Sequence, residues 1–385
     1  MHIYEYIITE LGATGVALAA AAVVLFFVQI IYYFRYGRLV GYKLHNRKPI
    51  REAEPPLSLI VPMFSEDYGF VEERLPLFMQ QEYTHYEVVV VYVGQNSDFH
   101  EELTRCRQHY PNLIISRIHH DPRYPISRKM ALNIGIKSAH YECLLFTSTE
   151  VEPTSTHWLA LMAKGFARGE IVVGYCGLEA HPSLQNRMMR TSRLMDSADW
   201  ISRATTGRPH RGILHNFGFT KSLYFSPEVN GFNRLNMNIG EDDLFMQEIM
   251  PKHTVSVVLS PKASVKQKLW GGISWWISQC IYYDASRRHY PLSVRLSHGW
   301  ELLSRLLFFG VIAASLILLP DQFRIAAGVL LLLRYLFVIW EVRRMSRRLG
   351  ERGLVRFYFI YDLLSPFWSL AKSLLLLRHD DRVWR

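Results

Sequence analysis

A chain of 385 residues is long enough for one large or two ordinary domains, and 49% hydrophobic residues with a mean hydropathy of +0.02 is too apolar for a plain soluble enzyme. Its 44 Lys+Arg against 34 Asp+Glu suit nucleic acid, anionic lipid or phosphorylated substrates by charge alone. Much of that excess flanks apolar runs (Arg35, Arg38, Lys43, Arg47, Lys48, then Arg343, Arg344, Arg347, Arg348), as juxtamembrane anchors do, and no arginine-and-aromatic stripe of a nucleic-acid module accompanies it.

Residues 13–34 are continuously apolar apart from small residues and Gln29, long enough to cross about 30 Å of hydrocarbon. The run is too long for a signal peptide and lacks a basic leader, so it predicts a retained membrane helix spanning 1–35. The basic linker 36–55 then places the globular region in the cytoplasm, on the inner (plasma) membrane. From residue 57 the texture changes. Strands are expected at 57–62, 87–93 and 113–118, and helices at 68–81, 101–110 and 128–139. This alternation predicts an α/β fold with a Rossmann-like, mainly parallel sheet.

The next strand, from Leu144, runs into a loop carrying Glu150 and Glu152 and closed by Pro153. Ligands of open α/β sheets lie beyond the carboxyl ends of the strands, where such acids reach a metal or a phosphate. The plainer reading is a solvated loop whose acids favour the following helix N-terminus. Beyond it the pattern predicts a helix at 158–167, a strand at 171–177, a polar helix at 185–204 facing a cleft or the membrane surface, and a strand pair at 212–219 and 222–225. An acid-led helix is expected at 240–250 and a strand at 255–259.

Aromatics crowd 265–300 (Trp270, Trp275, Trp276, Tyr282, Tyr283), as in an interfacial belt. The stretches 302–319 and 323–340 form a membrane hairpin within 301–341, and no run of buried charge there marks an ion path. Segment 342–385 is a basic turn and an apolar stretch, 354–377, whose Arg356, Asp362, Pro366 and Lys372 predict a kinked interfacial helix rather than a further crossing. The cysteines, Cys106, Cys143, Cys176 and Cys280, lack metal-ligand spacing and read as reduced, buried small hydrophobes.

Three stretches, in order, resemble a known family. Leu59-Ile60-Val61-Pro62-Met63-Phe64-Ser65-Glu66 is similar to the first strand and loop of family-2 glycosyltransferases. Ser127-Arg128-Lys129-Met130-Ala131-Leu132-Asn133-Ile134-Gly135-Ile136 resembles that family's helix before the metal loop. Gly240-Glu241-Asp242-Asp243-Leu244 resembles its acceptor-side Glu-Asp motif. The resemblance covers about 56–264 and implies an A-type, Rossmann-like nucleotide-sugar fold. It implies an inverting transfer in which Asp242, beside Glu241, deprotonates an acceptor hydroxyl while Mg2+ or Mn2+ holds the leaving diphosphate. Pro62, Glu66, Lys129 and Ser148 fall at nucleotide-sugar positions, and Glu150 with Glu152 at the metal. The bland alternative is that Glu241, Asp242 and Asp243 only cap the following helix.

Departures are equally specific. The family's Asp-Asp-Gly-Ser turn after the second strand is here Tyr92-Val93-Gly94-Gln95, and its Asp-x-Asp is Ser148-Thr149-Glu150. Its Gln-x-x-Arg-Trp element has no counterpart, Trp275-Trp276-Ile277-Ser278-Gln279 standing nearby, so non-processive transfer is expected. His119-His120, His210 and His215 show no two-His-plus-carboxylate helical spacing, although His215 aligns with an acceptor-side strand. The resemblance therefore implies a nucleotide-sugar donor and a lipid-linked or membrane-surface acceptor among membrane lipids. A degenerate scaffold that partners another membrane subunit of a glycan assembly or export complex is the second reading.

Overall fold

The computed structural model describes residues 2–119, 127–208, 210–229, 231–232, 242–250 and 253–377. Helix α1 (His2–Phe34) breaks once at Gly12, whose φ of 63° suits a residue without a Cβ, and resumes as α2 (Tyr36–Gly41). Residues 36–41 are therefore helix rather than loop, and Tyr36 and Leu39 are buried with Tyr33 in the sheet's own core. Strands β1 (Leu57–Met63), β2 (Tyr86–Val93) and β3 (Leu113–Ile118) follow the β-branched runs. Between them lie a π-helical turn, Phe70–Arg74, leading into α3 (Leu75–Met79), and α4 (Ser97–His109). Pro76, which lacks a donor, sits in the first turn of α3 and separates it from that turn, so the helix expected at 68–81 is divided.

Helix α5 (Arg128–Ser138) starts at Ser127, whose hydroxyl accepts the Met130 N–H. Strand β4 (Cys143–Phe146) precedes β5 (Val151–Pro153) and α6 (Trp158–Phe166). The strand expected over 171–177 is two, β6 (Ile171–Val173) and β7 (Cys176–Leu178), because the chain changes sheets between them. Helix α7 (Leu184–Ala204) buries Arg190, Arg193, Thr191 and Ser197 and turns Asp196 and Asp199 into a cavity beside the long helices. The strand pair expected at 212–225 is instead one strand, β8 (Phe217–Thr220), followed at once by a helical turn, α8 (Lys221–Tyr224). Next come α9 (Leu244–Ile249), β9 (Val255–Val257), β10 (Val265–Gln267) and α10 (Ile273–Asp284). Three long helices finish the described chain: α11 (Leu292–Leu318), α12 (Asp321–Arg348) and α13 (Tyr358–Leu377), the last containing Pro366.

The main sheet has order β3-β2-β1-β4-β8-β6-β9, parallel except that β8 runs against both β4 and β6. A second sheet, β5-β10-β7, stands beside it. Alternate residues of β2 enter opposite cores, Val89 and Val91 packing with α5 and α7, Val88 and Val90 with Phe78 and Trp158. The first of these cores runs on into Val338, Val342 and Met345 of α12, so sheet and long helices share one packed interior.

Among the described residues, four helices are long and apolar enough to cross a membrane: Leu11–Gly41, Leu292–Leu318, Asp321–Arg348 and Val355–Leu377. The last meets that standard as well as carrying the polar residues that predicted an interfacial helix. Those polar groups turn inward. Asp362 accepts from Arg334 Nη1 at 2.5 Å and Tyr33 Oη at 2.9 Å, with Arg305 Nη1 3.4 Å away. Contrary to the sequence expectation, the helix bundle thus holds a buried charge cluster, joining α1, α11, α12 and α13.

Candidate functional site

The ladder between β4 and β1 ends at the Phe146 and Ile60 pair, and past Thr147 the chain leaves the main sheet. The acid loop is fastened to the second sheet. Glu150 Oε2 accepts from Gln267 Nε2 at 3.0 Å, and the Glu150 carbonyl accepts the Lys268 N–H at 2.8 Å. Glu152 pairs with Lys268 at 3.3 Å, and Lys268 also reaches Glu73 at 3.1 Å. The Glu150 N–H donates to Ser148 Oγ at 3.3 Å. Gln267 in turn accepts from Arg193 Nη2 at 3.2 Å, placing a buried guanidinium behind the loop.

Two further expected residues meet at the ends of β1 and β2. Pro62 lies in β1 beyond the residues that pair with β4, where a missing N–H costs no bond on that side. Exposed Glu66 accepts from Tyr92 Oη at 2.7 Å; that bond holds the Glu66 carboxyl below its usual range. Burial and Glu66 together push Tyr92 up to about 12. A carboxylate is thus delivered to the end of β2 from the neighbouring loop, although the second-strand turn has none of its own. Lys129 is buried on α5, and Ser148 is buried in the acid loop.

Of the acids before α9, Glu241 lies outside the described residues. Asp243 is the helix cap, accepting from Leu244 N at 2.7 Å, Tyr290 Oη at 2.6 Å and Ser286 Oγ. Burial raises its pKa against the opposing pull of Ser286, Tyr290 and Arg211. Asp242, partly buried, is left outside the cap and close enough to Tyr283 to act on it electrostatically.

Tyr283 is the hub of this region. Its hydroxyl lies 2.9 Å from His215 Nε2, and the guanidinium groups of Arg193 and Arg211 stand 4.9 and 5.3 Å from its ring. Arg128 Nη1 reaches Tyr282 Oη at 3.4 Å. Burial first, then Arg128 and Arg193, hold His215 well below its ordinary pKa, so its ring is neutral; burial pushes Tyr283 up to about 12. Neighbouring Asn216 is structural: it donates to the carbonyls of Tyr175 and Ala263, both at 2.9 Å, and accepts from Trp158 Nε1 at 3.0 Å. The sequence reading missed Arg193, Arg211, Tyr92, Gln267 and the role of Tyr283. The one signal for Arg193 was the density of arginines in α7, a helix too polar for its burial; Arg211 lies beyond that helix.

Arg211 and Tyr290 also line a cavity of about 450 Å3 between the sheet domain and helices α11 and α13. Asp196, Asp199, Arg287, Arg295 and Lys372 contribute to its wall. Asp199, His210 and His298 meet there closely enough to share an ion. Their bonding points elsewhere. Arg287 Nη2 donates to His298 Nδ1 at 3.0 Å, which leaves the ring proton on Nε2 for Asp199 Oδ2, also at 3.0 Å. Arg35 pairs with the other Asp199 oxygen, and Arg203 Nε is 3.5 Å from Oδ2. Burial pushes Asp199 up, yet Arg35, His298 and His210 outweigh it and hold the carboxyl well below its usual range. Two arginines on the carboxylate and a third on His298 repel a dication, so this is an ion-paired junction of α1, α7 and α11 rather than a metal centre.

The sequence matches no protein-family model and no curated protein sequence. Solved structures do match. The mannosyltransferase PcManGT from Pyrobaculum calidifontis, in complex with GDP-Man and Mn2+, is 16% identical and superposes with a TM-score of 0.51 over 91% of this chain and 99% of its own. TarS of S. aureus, in complex with UDP-GlcNAc, is 15% identical with a TM-score of 0.41, covering 83% of this chain and 91% of that one. The likeness to PcManGT shows the A-type glycosyltransferase fold, carried here with four helices of membrane-spanning length.

Proposed function

We propose that the chain is a membrane-anchored, inverting glycosyltransferase of family 2. It moves one sugar from a nucleotide donor to a lipid-linked or other membrane-surface acceptor on the cytoplasmic side. The observation that carries this reading is the position of Asp242. It directly precedes the cap residue Asp243 and is near enough to Tyr283 to act on it electrostatically, while Arg193 and Arg211 face the Tyr283 ring and Arg211 lines the cavity next to α11 and α13. A carboxylate so placed is the general base for an acceptor hydroxyl entering from the membrane side, with Glu241 as its sequence neighbour. Glu66, held by Tyr92, takes the nucleoside contact that the second-strand turn lacks, near Pro62. Lys129 and Ser148 border the diphosphate.

Glu150, with the Ser148 hydroxyl and Glu152 nearby, offers the oxygen donors that a hard cation takes. Mg2+ or Mn2+ bound there would supply positive charge to the departing diphosphate. The chain's own residues orient that site, Gln267 fixing Glu150 and Arg193 fixing Gln267.

The test is transfer by the full-length protein in detergent or nanodiscs, with calorimetry against a panel of nucleotide sugars. Asp242→Asn is expected to keep donor binding and lose transfer by about 10²-fold or more. Absence of any nucleotide binding by the wild-type chain overturns the proposal. The second reading, a scaffold partnering another membrane subunit, is favoured by one observation: Glu150 and Glu152 are already engaged by Gln267 and Lys268. On that reading Asp242→Asn leaves the cellular phenotype intact.

A further inference from the structure

A second concavity, of about 410 Å3, lies at the edge strand β9 and shares no lining residue with the cavity beside α11 and α13. Its floor is apolar, from Leu44, Leu161, Val257, Val258 and Leu259. Its rim carries Lys43, His45, Lys164, Arg168 and Arg348, and no Asp or Glu lines it. Among the described residues none of those five takes part in an ion pair. Two of them are moreover incompletely satisfied: Arg168 Nε and Arg348 Nε are buried without a hydrogen-bond partner. The Nε atoms of several ion-paired arginines are left the same way, so it is the all-cationic rim, with no carboxylate in the groove, that fits an anionic occupant. Helix-end electrostatics explain Lys164 and Arg168, which close α6, and Arg348, in the last turn of α12. Lys43 and His45 follow the end of α2, so three helix ends bring their cations to one groove.

Those ends fix the level of the groove. The membrane-length helices Leu11–Gly41 and Asp321–Arg348 have 31 and 28 residues, whereas crossing hydrocarbon takes about 20. Their terminal turns therefore rise past the hydrocarbon, and the groove begins at those ends, at Tyr42 and Arg348. Arg348 also donates to the Tyr42 carbonyl at 3.0 Å, tying both ends to one rim. Exposed Trp340, with Arg344 4.4 Å over its ring, marks the water interface two turns earlier on α12.

We propose that this groove is a binding site for the phosphate-bearing headgroup of an anionic phospholipid from the adjoining leaflet. The phosphate sits among Lys43, Lys164, Arg168 and Arg348, and the apolar floor receives the glycerol backbone. Cation-only grooves at the membrane ends of helices gain about 1 kcal/mol per Lys or Arg from anionic lipid, about fivefold in affinity. The site is separate from the proposed chemistry, so loss of one leaves the other testable.

The experiment uses the full-length protein in neutral detergent with short-chain phosphatidylglycerol, phosphatidylcholine or inorganic phosphate, read by native mass spectrometry and thermal midpoint. Phosphatidylglycerol is expected to bind and raise the midpoint, with phosphatidylcholine at least tenfold weaker. Lys164→Gln alone, an exposed change, is expected to weaken phosphatidylglycerol about fivefold, and Lys164→Gln with Arg168→Gln by more than tenfold. The double variant Arg105→Gln with Lys137→Gln removes the same charge from α4 and α5 and is expected to bind as wild type. Equal loss in that control, no loss in the groove variants, or inorganic phosphate binding the groove as tightly as phosphatidylglycerol overturns the proposal.

Discussion

Glu66 and Tyr92 show how one hydrogen bond sets the place of a carboxylate. The acids expected after the second strand are absent, yet the 2.7 Å bond from Tyr92 brings a carboxylate to the same strand end. Glu66→Gln is expected to weaken nucleoside diphosphate binding roughly tenfold, since bonds to charged acceptors are the strong ones, with the thermal midpoint unchanged. Tyr92→Phe should give a smaller loss in the same calorimetric measurement. His210 supplies a prediction about pH. Burial lowers its pKa from 6.5 to about 3, with Asp199 opposing and His298, Arg203 and Arg211 adding to the fall. Between those values the unfolded chain binds a proton that the folded chain does not, so stability falls as pH drops through that window, by up to about 1.4 kcal/mol per unit. His210→Gln is expected to flatten this acid limb in thermal midpoints measured from pH 7 to 4.

Among the elements, β8 decides the geometry of the site. In the main sheet it is the strand that runs against its neighbours, and His215 and Asn216 stand at its entry. Gly218 in its middle lies so close to β4 that an added Cβ would stand 2.3 Å from the Leu144 carbonyl oxygen and 2.6 Å from the Phe166 ring. Backbone cannot yield there as a flexible side chain would. Gly218→Ala is expected to cost about 1–3 kcal/mol or more and to lower both the thermal midpoint and the yield of folded protein. The second sheet matters in the same way, since β10 presents Gln267 to Glu150 only while it pairs with β5.

Membrane helices and sheet domain share a packed core and the Asp199 cluster, while the Asp362 cluster ties the long helices to one another. Arg334 and Asp362 are both fully buried, and removing one partner leaves an uncompensated charge. Asp362→Asn is therefore expected to destabilise the protein by about 3–5 kcal/mol, seen as a large drop in thermal midpoint in detergent. Replacing both, with Arg334→Met and Asp362→Leu, should recover much of that loss.

The alternation of strands and helices, the apolar helices and the order of the motif-bearing loops were all legible in the residues alone. These follow from local periodicity: a β-branched run such as Val88–Val91 or an apolar stretch near residue 25 needs no partner to declare itself. Asp242 and Glu150 stood out at the same level. Packing was needed to make Asp243 the cap and leave Asp242 outside it, because which carboxylate meets Leu244, Ser286 and Tyr290 depends on α10 and its following turn arriving there. Likewise the buried arginines of α7, the division of 171–177 between two sheets and the cationic groove at β9 are set by contacts between residues far apart in the chain. Charge and burial at those places are properties of what packs against them, and no local spacing records that.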